Sequence, residues 1–201
     1  METALKGLVL AGGRSSRMGE SKAEMNWHGK QQQYHLADLM ASYCDDVFVS
    51  CRKDQTEKIQ SEYKTIPDQY ENAGPFEAIL TAFEVYPDCA WMIMACDVPL
   101  LDRSTLDNLI EQRDQTKIAT VFKSPWDGLP EPLTGIWETE SYLLLKYNYQ
   151  QEQISLRRLL IKYEAKIIKA PNTSALMNAN TPEDAKQIRK ILDKKNASFN
   201  T

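Results

Sequence analysis

Trp91-Met92-Ile93-Met94-Ala95 puts five apolar residues in a row, with no polar position to turn toward water. Such a run is the signature of a strand buried on both faces. A strand of that kind needs helices above and below its sheet, so the rest of the chain must supply them.

Strand-like and helix-like stretches do alternate on either side of it. Residues 5–10 read as a first strand, and 31–43 as a helix with Tyr34, Leu36, Leu39, Met40 and Tyr43 along one face. Val47-Phe48-Val49 with Ser50 and Cys51 is a short second strand. Residues 55–63 read as a helix, and Lys64-Thr65-Ile66 as a weak third strand closed by Pro67. Pro75 sits where a first helical turn accepts it, and Phe76, Ile79, Leu80 and Phe83 follow at helical spacing. Downstream, 104–113 is a helix, 118–122 a strand, 124–132 a loop, 133–137 a strand and 138–149 a helix. Ser155 caps a helix bearing Leu156, Leu159, Leu160 and Tyr163, and 166–169 is a last short strand. Thr181-Pro182-Glu183-Asp184 opens a final helix running to about 194, with 196–201 fraying. The alternation predicts a three-layer α/β fold, mostly parallel, in a single domain over 1–201. It is less regular after Phe122, where an antiparallel strand or hairpin is expected.

The 201 residues are within reach of one α/β domain. A net charge of −4 argues against a nucleic-acid partner. The apolar runs fall far short of the ~20 residues that span a bilayer, so no membrane partner is expected. The start METALKG lacks a secretory pattern, and the expected location is cytoplasmic. Cys44, Cys51, Cys89 and Cys96 form no CxxC pair, and His28 and His35 are the only histidines. A zinc site is therefore not expected, and the thiols are expected to be reduced.

Ligands of such sheets bind beyond the carboxyl ends of the strands, here after Leu10, Cys51, Ile66 and Ala95. Residues 8–22 read LVLAGGRSSRMGESK. The first strand stops at Ala11-Gly12-Gly13, and Arg14, Arg17, Gly19 and Lys22 follow. Glycines let backbone amides converge on phosphate oxygens, arginine offers two-point contact, and lysine offers a compact charge. A Walker A loop does not fit, because Gly19 is followed by Glu20. A GxGxxG fingerprint does not fit either, because Gly12 and Gly13 are adjacent. The loop reads as a cradle for a polyanion.

The segment from Leu10 to Lys22 resembles the signature LAGGxSxRMGxxK of the molybdopterin nucleotidyltransferases. Its Ala-Gly-Gly form resembles the guanylyltransferase branch rather than the Ala-Ala-Gly of the cytidylyltransferases. Asp68 followed by Gly74-Pro75-Phe76 resembles the family's D…GPL segment, and Ala95-Cys96-Asp97-Val98-Pro99-Leu100 its CDxPxL metal motif. Pro130-Glu131-Pro132-Leu133 resembles PEPL, and Asn178-Ala179-Asn180-Thr181-Pro182-Glu183-Asp184 resembles NxNTPED. Departures are Ala78 in place of a second glycine, Gln31-Gln32-Gln33 at a helix start, and Ser50-Cys51-Arg52-Lys53 where an asparagine is usual.

The resemblance implies a Rossmann-like nucleotidyltransferase fold and transfer of GMP from GTP to the phosphate of molybdopterin or molybdenum cofactor, with Mg²⁺. It places the nucleotide against Leu10, Ala11, Gly12, Gly13, Arg14, Lys22, Arg52, Asp68, Gly74 and Asp97. Arg17, Lys22 and Asp97 are implied as catalytic, Asp97 as the metal ligand, and Asn178 and Asn180 as neighbours of the metal or the pterin. Chemistry agrees for two of these. A carboxylate ending a buried strand is costly unless it meets a cation, which suits Asp97. A carboxylate can accept the N1–H and N2–H₂ of guanine, which suits Asp68, although a turn aspartate after Pro67 would read the same way. Asn178 and Asn180 are also ordinary turn residues. Trp126 and Trp137 are candidates to stack on a flat ring, or core aromatics. His28 and His35 read as structural or surface groups. Proteins that deliver the cofactor, and the molybdoenzymes that receive it, are the implied protein partners. The rival readings are a CTP-dependent cytidylyltransferase, a sugar-phosphate nucleotidyltransferase and a non-catalytic carrier of the pterin cofactor. A carrier would be expected to have a damaged first loop or to lack Asp97.

Overall fold

The first half of the chain lays down four strands: β1 (Leu5–Leu10), β2 (Asp46–Cys51), β3 (Lys64–Pro67) and β4 (Ala90–Ala95). Three more follow: β5 (Ala119–Lys123), β6 (Pro130–Trp137) and β7 (Lys166–Ile168). They form a seven-stranded sheet in the order β3-β2-β1-β4-β6-β5-β7. This is a computed structural model, and it describes residues 3–12, 21–70 and 74–199. Pairing is parallel except around β6, which runs antiparallel to both β4 and β5. The irregularity expected after Phe122 is therefore the β5–β6 hairpin, with a register shift between Val121 and Phe122.

The helices are α1 (Gln32–Met40), α2 (Pro75–Val85), α3 (Arg103–Glu111), α4 (Ser141–Gln150), α5 (Leu156–Lys162) and α6 (Pro182–Phe199). Period-2 alternation along β4 explains why both faces are covered. Met92 and Met94 face one core with Leu36 and Met40 of α1 and Leu106 and Leu109 of α3. Trp91 and Ile93 face the other, with Ile79 and Phe83 of α2, Leu145 of α4 and Leu160 of α5. Every residue of β4 is buried. Burying five such side chains is worth on the order of 10 kcal/mol before conformational entropy is charged.

Local chemistry starts three of the helices, α2, α5 and α6, where the sequence predicts. Pro75 occupies the first turn of α2. Ser155 Oγ accepts from Arg158 N at 3.4 Å at the head of α5. Thr181 Oγ1 accepts from Asp184 N, while Asp184 Oδ2 accepts from Thr181 N, a reciprocal cap that opens α6.

Several boundaries differ from expectation, and α1 closes at Met40 rather than Tyr43. Residues 55–63 are not an α-helix: a 3-10 turn spans Lys53–Lys58 and buries none of its residues, so no apolar stripe holds a longer helix down. The loop expected over 124–132 ends at 129, because Pro130 already pairs with Lys123. The helix expected from 138 begins at Ser141, because Glu138 is tied to Ile118 O through its N–H and to Arg113 through its carboxylate. The last helix continues to Phe199 instead of stopping near 194. The four cysteines are free thiols. No helix among the described residues is long and apolar enough to cross a membrane.

Candidate functional site

Strand register sets the stage. Leu10 stands opposite Ser50 on one side and Ala95 on the other, and Ser50 stands opposite Ile66. Four parallel strands therefore end level with one another. Two residues past that line, in each segment, stand Gly12, Arg52, Asp68 and Asp97. A cleft of about 230 Å³ opens there. Leu10, Ala11, Gly12, Lys22, Asp68, Gly74 and Asp97 all line it, together with Ser50, Ala78 and Leu133. Gly13, Arg14 and Arg17 lie outside the described residues.

On the β3 side, Asp68 is 8 % exposed. Its Oδ1 accepts from Ser50 Oγ at 2.8 Å, and its N–H donates to Cys51 O at 2.8 Å. Burial raises the carboxyl above its ordinary range, and the Ser50 hydroxyl works against that rise. Gly12 packs on the same group: a Cβ there would sit 2.9 Å from Asp68 Oδ2. The close approach of backbone to carboxylate requires glycine. Ala11 N–H donates to Ser50 O at 3.0 Å, extending the β1–β2 ladder one residue beyond the strand. Backbone donors for a ligand must therefore come from Gly12 onward.

On the β4 side, Lys22 Nζ lies 3.8 Å from Asp97 Oδ2, and both side chains are slightly more than a quarter exposed. Burial raises the Asp97 carboxyl, with the Lys22 charge pulling the other way. Lys22 Nζ also donates to Asn180 Oδ1. Ala179 N–H donates to Asp97 O at 2.8 Å. The segment before α6 is thereby laid across the end of β4, and it brings Asn180 to the lysine. Asp184 holds that segment from the other side, accepting from Asn180 N at 3.1 Å. Burial alone would raise the Asp184 carboxyl, but the bonds from Thr181 and Asn180 prevail and hold it low.

Two expected residues stand apart. Arg52 turns its guanidinium onto Asp54 in a two-point ion pair, at 3.0 Å for each contact, and does not line the cleft. Asn178 flanks the Ala179–Asp97 bond without lining the cleft. Gly74 caps α2, its N–H donating to Glu77 Oε2 at 3.0 Å. Of the two tryptophans considered for ring stacking, Trp137 is fully buried and Trp126 is 65 % exposed at the hairpin tip. The histidines stack on each other with ring centroids 3.8 Å apart, and His28 Nε2 lies 2.7 Å from Pro99 O. Ser50 was not anticipated as part of the site. A lone hydroxyl at the carboxyl end of an apolar strand was its one signal in the sequence.

Two oppositely charged groups facing each other on one side of a cleft, and a buried carboxylate on the other, suit a phosphate-rich ligand with a hydrogen-bonding head. The donor set also fits a magnesium ion. One carboxylate, Asp97, stands beside Lys22, and no cluster of three or more His, Cys, Asp or Glu occurs among the described residues. An ion held there would take its remaining oxygens from substrate and water, as magnesium does.

Comparison with known proteins finds relatives over most of the chain. Residues 7–167 match the family described as MobA-like NTP transferase domain. A molybdenum cofactor biosynthesis bifunctional protein of Synechocystis sp. is 36% identical over 191 residues, 93% of this chain and 54% of that protein. The chain thus spans about half the length of that relative. A probable molybdenum cofactor guanylyltransferase of Bacillus cereus is 30% identical, with 92% of this chain and 96% of the relative covered. Among solved structures, molybdopterin-guanine dinucleotide biosynthesis protein A of Archaeoglobus fulgidus superposes with a TM-score of 0.78. That match covers 94% of this chain and 99% of the other at 23% identity, and it speaks to the fold alone.

Proposed function

The chain belongs to the MobA-like NTP transferase family, and from that premise we propose that it transfers GMP from GTP to the terminal phosphate of molybdopterin or molybdenum cofactor, releasing pyrophosphate. The observation that carries this reading is the level edge of β1, β2, β3 and β4, which gathers Lys22, Asp97 and Asp68 around one cleft. Relatives named molybdenum cofactor guanylyltransferase support the choice of substrate pair.

The acceptor phosphate attacks the α-phosphorus of GTP, and the bond to the β-phosphate oxygen breaks. That phosphate is ionised near neutral pH, so no general base is needed, and neither histidine lines the cleft. Catalysis rests on positioning and on charge stabilisation. Lys22 meets the negative charge that grows on the phosphates, and Asn180 fixes where its ammonium points. Asp68 accepts the N–H donors of guanine, held in place by Ser50. Asp97 would hold Mg²⁺, which when bound neutralises phosphate charge.

The test is pyrophosphate release by the purified protein with molybdopterin, Mg²⁺ and each NTP in turn. Turnover with GTP is expected. Turnover with CTP alone would assign a cytidylyltransferase, and turnover only with a sugar phosphate would remove the pterin. Binding of the cofactor without turnover with any NTP would make the protein a carrier.

A further inference from the structure

The last helix of the chain stands outside both large cores. No described side chain of α6 enters the core under α1 and α3 or the core under α2, α4 and α5. It has a small core of its own. Ile188 and Leu192 meet Leu100 and Ala179, and Trp27, Met177 and Ile191 pack around them. Ile188 is fully buried and Leu192 follows one turn on, so a narrow apolar stripe fastens a helix of 18 residues. The Arg189 guanidinium adds a cation–π contact, its carbon 5.3 Å from the centre of the Trp27 ring.

The partners of α6 in this small core come from loops, not from the sheet. Leu100 belongs to the turn after β4, three residues past Asp97, and Trp27 to the segment between Lys22 and α1. These are the two stretches that carry the charged pair of the cleft.

A series of contacts leads from α6 back to that pair. Asp184, in its first turn, accepts from the N–H groups of Asn180 at 3.1 Å and Thr181 at 2.8 Å, so the residues ahead of the helix move with it. Asn180 Oδ1 accepts from Lys22 Nζ, and Ala179 N–H is pegged to Asp97 O at 2.8 Å. A helix held by one small stripe opens at a lower free energy than strands buried on both faces. The lysine of the cleft is therefore steadied by an element whose hold on the molecule is separate from the sheet's.

We propose that the small core of Trp27, Leu100, Ile188 and Leu192 positions Lys22. It clasps α6 across the end of β4, and α6 in turn holds Asn180 against the ammonium. Trp27 and Ile188 are positioning residues in this scheme, and neither lines the cleft. The role rests on the guanylyl-transfer reading, because its effect is read as a rate of transfer.

The experiment combines steady-state kinetics with hydrogen exchange on the full chain. Trp27→Ala and Ile188→Ala are each expected to quicken exchange of the α6 amides, to leave those of β4 unchanged, and to lower kcat by about tenfold or more. The double variant is expected to lose no more than the worse single one, since both undo one clasp. Trp27→Phe keeps an aromatic plug and removes an indole N–H that is buried without a partner among the described residues, so it is expected to keep the parent kcat. Arg189→Ala acts at the surface without threatening the fold, and is expected to lower kcat by about two- to fivefold. Leu145→Ala, in the core under α4, is the control for general loss of stability: its melting temperature should fall while its kcat stays at the parent value. Parent kcat in Trp27→Ala, Ile188→Ala and Arg189→Ala would overturn the clasp while leaving guanylyl transfer standing. So would losses of kcat matched by Leu145→Ala, or exchange in α6 that neither alanine quickens. Absence of any transfer by the unaltered protein would instead overturn the reaction itself, and the positioning role with it.

Discussion

At Gly12 a single absent methyl group leaves room for the Asp68 carboxylate, which in the proposed reaction meets the base. A Cβ there would press on Asp68 Oδ2 at 2.9 Å, and the carboxylate that Ser50 holds through Oδ1 would have to shift. Gly12→Ala is expected to raise KM for GTP by about tenfold or more, the worth of one hydrogen bond to a charged group, as read in steady-state kinetics. In the proposed reaction Lys22 and Asp97 act on the phosphate side. Lys22→Ala and Asp97→Ala are each expected to lower kcat by about 10²–10⁴-fold. Both side chains are partly exposed, so calorimetry should show a melting temperature within about 3 °C of the parent's. These residues were legible in the sequence because a glycine, a lysine and a carboxylate at strand ends have few other reasons to occur together. Arg52, expected at the nucleotide, turns away from the cleft for a physical reason. A long cation finds a nearby carboxylate, and Asp54 stands only two residues away. Ser50 was invisible because its role depends on Asp68, which only the parallel pairing of β2 and β3 brings near.

Elements add a coupling that no single residue shows. The His28 ring bridges α1, through its stack on His35, to Pro99, two residues beyond Asp97. Burial, reinforced by the neighbouring His28, lowers His35 to about 4. The unfolded chain takes up a proton as pH falls through its ordinary value of 6.5, and the folded chain refuses it until about 4. Between those values the unfolded state binds more protons, so stability rises with pH and is lost on acidification. Discounted for partial exposure, the loss is on the order of 2 kcal/mol. Denaturant midpoints at pH 7 and pH 4.5 check it: His35→Gln should lose less stability across that interval than the parent protein. Equal losses would show that His35 does not carry the effect. Strands were legible wherever an apolar run coincided with a partner on each side, as at 5–10 and 91–95. The turn at Lys53–Lys58 was not, because its polar residues support a helical pattern on paper but give it nothing to pack. Glu138 was likewise unreadable as a strand-end anchor, since its partner Arg113 is 25 residues away.

Across the whole molecule, the cleft exists because four strands end on one line and a fifth, β6, arrives from the opposite direction to wall it with Leu133. The alternation of strands and helices announced the layers and the parallel sheet. It did not announce the order β3-β2-β1-β4-β6-β5-β7, which depends on contacts between distant parts of the chain. On the proposed reading, that order puts the base of the nucleotide at β3 and its phosphates at β1 and β4. The most direct test of guanylyl transfer follows the α-phosphate itself. Incubated with Mg²⁺, molybdopterin and GTP labelled at the α-phosphate, the protein should move the label into a pterin dinucleotide, while label at the γ-phosphate should leave as pyrophosphate. Label found only in free GMP, or transferred from CTP but not from GTP, would contradict it.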